Sequence, residues 1–264
     1  MNHVTFTLTA RENTVIRINL AWPQGLPPQE GWPVSYVLDE KEFWIALGRT
    51  RSPDGSSDVP GDAPGVVVGV GVEQREQRQY IYTPVINSAI ANTQQPEGSG
   101  GFQVLAEVLA EQVMPWVQHN LSINAAQQSL CGHSLAGLFV CHYLLTVSSD
   151  FSRYVISSPS VWWGDFYLLQ CAAEVVSQPR PKSFAEVYIS VGQFEQGLGP
   201  RDHALSAERQ ALNLERRQAR RMVDGAKELA DLLGAYPGLD LHFQVIPSAD
   251  HGTASASAWE QLFA

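Results

Sequence analysis

Apolar and polar residues alternate along two short segments near the N-terminus, residues 4–8 and residues 15–20. Successive side chains of a strand point to opposite faces, so this alternation predicts two strands that each bury one face. A polar turn at residues 11–13 joins them. We therefore expect an antiparallel pair of strands at the edge of a larger sheet.

Downstream, short apolar runs alternate with segments of helical periodicity. Residues 66–71 form a continuous apolar run, which is typical of a strand buried on both faces. Residues 102–119 place apolar side chains at helical spacing, and Pro115 is expected to kink or end that helix. Further strands are predicted at residues 34–38, 130–131, 152–157, 186–191 and 241–246, and further helices at residues 43–47, 138–145, 166–176, 209–233 and 256–263. This alternation predicts an α/β protein with a mostly parallel, doubly wound central sheet flanked by helices.

Polar stretches at residues 51–64 and 74–100 are interpreted as loops, and a loop as long as the second is often functional. No repeat or low-complexity tract divides the chain, so we expect one domain over residues 1–264. The charged segment at residues 196–222 leaves three interpretations open: a lid or cap over a site, a dimer contact, or a solvated helix.

Composition narrows the range of functions. The 264 residues are 44% hydrophobic, which is enough for one sizeable core, and the net charge of −10 argues against nucleic acids and anionic membranes as partners. No segment resembles a signal peptide or approaches the roughly 18 apolar residues of a membrane span. Three cysteines without a C-x-x-C pattern are expected to be buried and reduced: Cys131, Cys141 and Cys171. We therefore expect a cytoplasmic monomer or homodimer.

The most informative stretch places Ser134 at the apex of a predicted strand–turn–helix. The sequence Gly-His-Ser-Leu-Ala-Gly at residues 132–137 is close to G-x-S-x-G, which lifts the serine hydroxyl above a sheet and aims helical N–H groups at its ligand. Ala136 stands where the second glycine is expected, a mild departure because alanine is the next smallest residue. A serine that only caps a helix is the alternative interpretation. The strand before and the apolar helix after favour a nucleophile.

A serine hydroxyl becomes a good nucleophile only when a base removes its proton. Among seven histidines, His251 is best placed, because it follows the last predicted strand. Glu195 follows the penultimate predicted strand and completes the order serine, acid, histidine, with Asp202 and Asp250 as alternatives. Carboxyl ends of parallel strands share one edge of a sheet, so these groups are expected to converge with Ser134.

The negative charge that develops during ester attack requires two N–H donors. One is expected from Leu135, the residue after the serine. The other is expected from Lys41 or Glu40, which follow the strand that ends at Leu38.

Several motifs occur in an order that resembles one known family. They are P-V-S-Y-V-L-D at residues 33–39, V-V-G-V-G at 67–71, R-Q-Y-I-Y-T-P at 78–84, G-H-S-L-A-G at 132–137, S-S-P-S-V-W-W at 157–163, G-Q-F-E at 192–195 and D-H-G at 250–252. This set is similar to the motifs of the Putative esterase family of α/β-hydrolases, and within it to the ferric-siderophore trilactone esterases. The resemblance spans roughly residues 14–262.

This resemblance implies an α/β-hydrolase fold and a serine esterase that needs neither cofactor nor metal, with Ser134 as nucleophile and His251 as base. The substrate implied is a small-molecule ester, in particular a ferric siderophore of the trilactone type. Substrate contacts are implied for Arg78, Trp162 and His133, with Arg78 facing an anionic or catecholate part.

Three positions depart from the family motifs: Glu40 and Ala136 replace glycines, and Ile81 replaces an aspartate. Glu40 affects the prediction of the second oxyanion donor, Ala136 that of the turn around the serine, and Ile81 that of the conformation of residues 78–84. Two alternatives to a siderophore esterase therefore remain. One is a generic short-chain carboxylesterase or acyltransferase, and the other is a non-catalytic binding protein on the same fold.

Overall fold

A mixed sheet of eight strands lies at the centre of the protein, which is seen in a computed structural model that describes residues 1–49, 65–72, 74–147, 151–178 and 184–262. The loop predicted at residues 51–64 lies outside these ranges. The strands are β1 (Asn2–Thr9), β2 (Val15–Trp22), β3 (Trp32–Leu38), β4 (Val66–Gly71), β5 (Ile123–His133), β6 (Arg153–Ser157), β7 (Ala185–Gly192) and β8 (Leu239–Ile246).

The strands follow the spatial order β1-β2-β4-β3-β5-β6-β7-β8. The first two pair antiparallel with each other, and β2 pairs antiparallel with β4. All later pairs are parallel. The predicted architecture, a mostly parallel sheet with an antiparallel N-terminal pair, is confirmed.

Helices cover both faces of the sheet. They are α1 (Glu40–Arg49), α2 (Arg75–Tyr82), α3 (Phe102–Val108), α4 (Met114–Asn120), α5 (Leu135–Thr146), α6 (Trp163–Ser177), α7 (Ala207–Arg220), α8 (Met222–Gly234) and α9 (Ala254–Ala258). Alternate strand residues point into two apolar clusters: Tyr36 and Leu38 into the larger and Val37 into the smaller. Side chains of α5, α6 and α8 fill the larger cluster, and those of α1 and of residues 258–262 fill the smaller. Both faces are therefore covered, as a doubly wound sheet requires.

The helix predicted over residues 209–233 is wrong as one element, because α7 and α8 are separated at Arg221. The backbone of Arg221 is left-handed, with φ 47° and ψ 42°. Helix α8 buries apolar side chains such as Leu229 and Leu233, whereas α7 buries none. Because of this break, α8 packs on the core while α7 stays at the surface.

The helix predicted over residues 102–119 is also interrupted. A π-helical turn, Leu109–Val113, separates α3 from α4 just before Pro115. Proline has no N–H, so the hydrogen bond to the carbonyl of Glu111 cannot form. A π turn next to proline is a common cause of a bend.

The loop predicted over residues 74–100 is wrong at its start, where α2 forms instead. The side chains of Ile81 and Tyr82 on this helix are fully buried, whereas those of Arg78 and Gln79 are partly exposed. The polar face of α2 gave the sequence its irregular character. Residues 83–100 do form an irregular connection.

Two expectations from composition have structural counterparts. Cys131, Cys141 and Cys171 are buried and unpaired. Within the ranges that the structure describes, no helix combines the length and apolar character needed to cross a membrane.

Candidate active site

Ser134 occupies a strained turn between β5 and α5. Its φ of 63° and ψ of −119° are unusual for a residue with a side chain. A Cβ at Gly132 would lie 2.3 Å from the carbonyl oxygen of Ala136, and one at Gly137 would lie 3.1 Å from Pro159 and Ser157 atoms. Glycine is therefore needed at 132 and favoured at 137, whereas the Ala136 side chain is fully buried in the core. This departure from the motif is accommodated.

His251 lies in the turn that follows β8, and its side chain reaches Ser134. The Nε2 atom is 3.0 Å from Ser134 Oγ. On the other side of the ring, Nδ1 is 2.6 Å from Oε2 of Glu195. An ionised carboxylate can only accept, so this contact places the proton on Nδ1 and leaves Nε2 free to accept from the serine.

Glu195 is held in place by two further donors. Its Oε1 atom accepts hydrogen bonds from the N–H of Gly192, at 2.7 Å, and from the hydroxyl of Ser158. Only 3% of the residue is exposed. The carboxylate therefore presents one oxygen to His251 while the other is fixed by the protein.

The two alternative acids have other partners. Asp202 accepts from the Gly199 N–H at 2.8 Å and pairs with Arg217 at 2.6 Å. Asp250 accepts from the N–H of Gly252 at 3.0 Å and pairs with Arg201 at 3.0 Å. The structure brings Glu195, and not these residues, to the histidine.

Three serines at residues 157, 158 and 160 contribute hydroxyl groups to this arrangement, a role that was not predicted from the sequence. Ser157 lies 3.0 Å from Nδ1 of His133, and Ser158 donates to Glu195. Ser160 donates its N–H to the Ser134 carbonyl at 3.0 Å, and its Oγ is 3.4 Å from Ser134 Oγ. The available signal was position, because this motif follows β6, the strand beside β5.

The expected oxyanion donors lie at two neighbouring helix N-termini. Helix α5 begins at Leu135 and α1 begins at Glu40, with Lys41 next. The strands that lead into them, β3 and β5, are parallel neighbours in the sheet. First-turn N–H groups have no acceptor within their own helix, so both ends can offer donors at this edge. The assignment of Leu135 and Lys41 stays a prediction.

Arg78 and His133 lie near the site but do not line the cavity. The Arg78 guanidinium contacts Asp39 with Nε at 2.8 Å and Nη2 at 2.6 Å, and Tyr82 donates to the same carboxylate at 3.1 Å. His133 packs its ring 4.7 Å from that of His251. Burial holds the pKa of His133 well below its ordinary value, and nearby cationic groups add to this effect. Their contacts with substrate stay a prediction.

A cavity of about 450 Å³ opens beside the serine. Ser134, His251 and Trp162 line it, together with side chains of residues 196–222, hereafter the cap segment. The arginines among these are Arg201, Arg216, Arg217 and Arg220. Three interpretations of this charged segment followed from the sequence: a lid or cap over a site, a dimer contact, or a solvated helix. Its function as a lid stays a prediction.

Topology and site together define a hydrolase of the α/β type, with a serine elbow at the carboxyl edge of the sheet. The sequence matches the Putative esterase family over residues 9–254, and the chain therefore belongs to that family. This confirms the resemblance seen in the motifs.

The chain is 29% identical over 197 residues to the ferri-bacillibactin esterase BesA of Bacillus subtilis, covering 70% of this chain and 68% of the relative. It is 25% identical over 277 aligned positions to the siderophore enterobactin esterase of Emericella nidulans, covering 97% and 91%. The siderophore hydrolase EstB from Aspergillus nidulans superposes with a TM-score of 0.83 at 24% identity, covering 98% and 93%. These similarities support ester hydrolysis and confirm the predicted fold.

Proposed function

We propose that this protein is a serine esterase that hydrolyses carboxylic esters through an acyl-enzyme, with Ser134, His251 and Glu195 as its catalytic residues. The observation that carries the proposal is the unbroken chain of contacts, 3.0 Å from serine to histidine and 2.6 Å from histidine to glutamate. Each residue follows a different strand of one sheet. Membership of an esterase family supports the same chemistry.

In the first half of the reaction, Ser134 Oγ attacks the ester carbonyl carbon while His251 Nε2 takes the hydroxyl proton. Glu195 holds the Nδ1–H and stabilises the imidazolium that forms. The carbonyl oxygen becomes an oxyanion, to which the N–H groups of Leu135 and Lys41 donate hydrogen bonds. The C–O bond to the alcohol then breaks, and His251 returns the proton to the leaving oxygen.

Water completes the cycle. His251 removes a proton from a water molecule, whose oxygen attacks the acyl carbon of the ester to Ser134. Collapse of the second tetrahedral intermediate releases the carboxylic acid and restores the serine hydroxyl with the proton from His251. The half-exposed imidazole, with 48% of its side chain accessible, leaves room for that water.

For the substrate, we propose a siderophore ester of the trilactone type. The family motifs and the similarity to esterases named for bacillibactin and enterobactin support this choice over a generic acyl ester. A non-catalytic role is disfavoured because two departures are accommodated, with Ile81 and Ala136 both fully buried in the core.

Turnover of matched esters tests the proposal. The protein is expected to hydrolyse 4-nitrophenyl butyrate, and to convert iron-loaded or iron-free enterobactin and bacillibactin to linear products on chromatography. Ser134→Ala should reduce both activities by on the order of 10⁴-fold, because triad residues act as a unit. Ser177→Ala, at an exposed helix end, is the matched control. Full activity of Ser134→Ala would overturn the mechanism, and cleavage of the butyrate alone would overturn the siderophore assignment.

A further inference from the structure

The cavity beside Ser134 is cationic although the whole chain carries a net charge of −10. Of the arginines that line it, two are neutralised in place. Arg217 pairs with Asp202 at 2.6 Å and Arg201 pairs with Asp250 at 3.0 Å. The remaining positive charge of the cavity lining comes from the two other arginines, which lie on α7.

Arg216 and Arg220 lie one turn apart on α7, and both reach the cavity. Neither has a carboxylate within 4.0 Å among the residues that the structure describes. Within the described part of the chain, the Arg216 side chain donates one long hydrogen bond, 3.4 Å, to Asn213 Oδ1. The Arg220 guanidinium lies 4.3 Å from the centre of the Trp162 ring. Both charges are therefore available to a bound anion.

Placing these two charges together has a cost. Like charges four residues apart destabilise a helix. Burial lowers the pKa of Arg220, and the positive charge of Arg216 lowers it further. Helix α7 buries no side chain, so packing of the core does not explain the arrangement. An anion between the two guanidinium groups would relieve the repulsion.

We propose that Arg216, Arg220 and the Trp162 ring form a binding subsite for an anionic, planar group of the ester substrate. Guanidinium groups bind carboxylate and phenolate oxygens through paired N–H donors. The indole adds an apolar surface beside them. This inference rests on the proposed esterase function. It further specifies that the ester substrate carries a negative charge.

The proposed subsite differs from the anion contact that the family motifs implied. That contact was expected at Arg78, whose guanidinium is already held by Asp39 through two nitrogens, at 2.8 and 2.6 Å. Its charge is largely neutralised by this carboxylate. The cap segment therefore offers the stronger electrostatic attraction for an anion.

Charge-matched ester pairs test the subsite. One pair varies the acyl side, 4-nitrophenyl hydrogen glutarate against 4-nitrophenyl valerate. The other varies the alcohol side, the butyrate ester of 4-hydroxybenzoate against phenyl butyrate. The measured quantity is the ratio of kcat/KM for the anionic ester to that for its neutral partner. In at least one pair, this ratio is expected to fall roughly ten-fold in Arg216→Gln and in Arg220→Gln, the effect of losing one charge-assisted hydrogen bond.

Arg209→Gln is the matched control, because Arg209 lies on the same helix but outside the cavity. Its ratio should equal that of the parent, and Arg216→Lys should recover part of the loss because it keeps the charge. Raising the salt concentration should reduce the parent's ratio but not that of a variant that carries both Arg216→Gln and Arg220→Gln. Unchanged ratios in both pairs, or an equal fall in Arg209→Gln, would overturn the subsite. If the parent then still hydrolysed the neutral esters and Ser134→Ala did not, the proposed esterase function would be unaffected.

Discussion

At the scale of single residues, the site depends on hydroxyl groups that no catalytic motif names. Ser158 donates to the buried Oε1 of Glu195 and has a left-handed backbone, with φ 44°. Ser160 holds the carbonyl of Ser134 through its N–H at 3.0 Å. These contacts fix the acid and the nucleophile on opposite sides of His251. We therefore interpret Ser158 as a positioning residue for Glu195.

Ser158→Ala is expected to lower kcat roughly ten-fold, since it removes one hydrogen bond to the carboxylate that orients His251. KM for a neutral 4-nitrophenyl ester should stay within about two-fold, because Ser158 does not line the cavity with Ser134. Steady-state kinetics on purified variants measure both constants.

Ser158→Gly separates the hydroxyl from the backbone. Glycine adopts positive φ readily, so this variant removes the donor without adding strain. It should lose as much kcat as Ser158→Ala. If glycine restored the parent kcat, the positioning role would be wrong and the effect of alanine would be backbone strain.

Part of the site was predictable at this scale and part was not. Ser134, Glu195 and His251 each follow the end of a predicted strand, and this was enough to predict that their side chains converge. The neutralisation of Arg78 was not predictable, because Asp39 is distant in sequence and meets it only through tertiary packing. The same limit applies to Ser158, whose partner Glu195 lies in the turn that follows another strand, β7.

At the scale of elements, α7 and α8 differ in how they are held. Helix α8 buries Met222, Leu229 and other side chains in the core. Helix α7 buries none, and Arg217 connects it to Asp202 and to the carbonyl of Gly197, at 2.6 and 2.7 Å. An element with few buried apolar contacts opens locally at a lower free energy than one packed on the core. The two helices should therefore open independently.

Amide hydrogen exchange is expected to be about 100-fold or more faster in α7 than in α8, because opening α7 exposes little apolar surface. Arg217→Gln should accelerate exchange in α7 further without changing α8. Arg209→Gln, which removes a positive charge from the same helix, serves as the control for charge alone. Equal protection of both helices would show that α7 belongs to the cooperative core.

The element boundaries show where sequence patterns stop being informative. Period-two and continuous apolar runs located the strands, because burial on a sheet dictates those patterns directly. The break at Arg221 carries no glycine or proline, so residues 209–233 read as one helix. A tertiary contact accompanies the break, since the Arg221 guanidinium lies over the Phe166 ring of α6. Arg221 also pairs with Glu228 on α8.

At the scale of the whole molecule, the core contains a histidine that affects acid stability. His142 lies on α5 and packs edge-on against Phe102, with only 8% of the residue exposed. Burial lowers the pKa of His142 from 6.5 to about 4. The unfolded chain therefore binds a proton between these values that the folded chain does not bind. The free energy of unfolding must fall as the pH drops through this window.

His142→Leu is expected to flatten that dependence. Between pH 7 and pH 5, the parent should lose about 2 kcal/mol more of its free energy of unfolding than the variant. Urea titrations at the two pH values measure the difference. His119→Leu, at an exposed helix end, is the matched control. Parallel losses in the parent and His142→Leu would show that this histidine does not contribute.

The convergence of three distant side chains is the whole-molecule feature on which the esterase function depends. It follows from one topological rule, that parallel strands bring their carboxyl ends to a common edge. The charge of the cavity did not follow from composition, since the net charge of −10 describes the entire chain and not the cap segment.

Covalent labelling of Ser134 tests the central claim most directly. After treatment with diisopropyl fluorophosphate, intact mass and peptide mapping should show one adduct, located on Ser134, together with loss of esterase activity. His251→Ala should label far more slowly, because the base is missing. A folded parent that remains unlabelled, or that loses activity with the adduct on another serine, would contradict the assignment of Ser134 as the nucleophile.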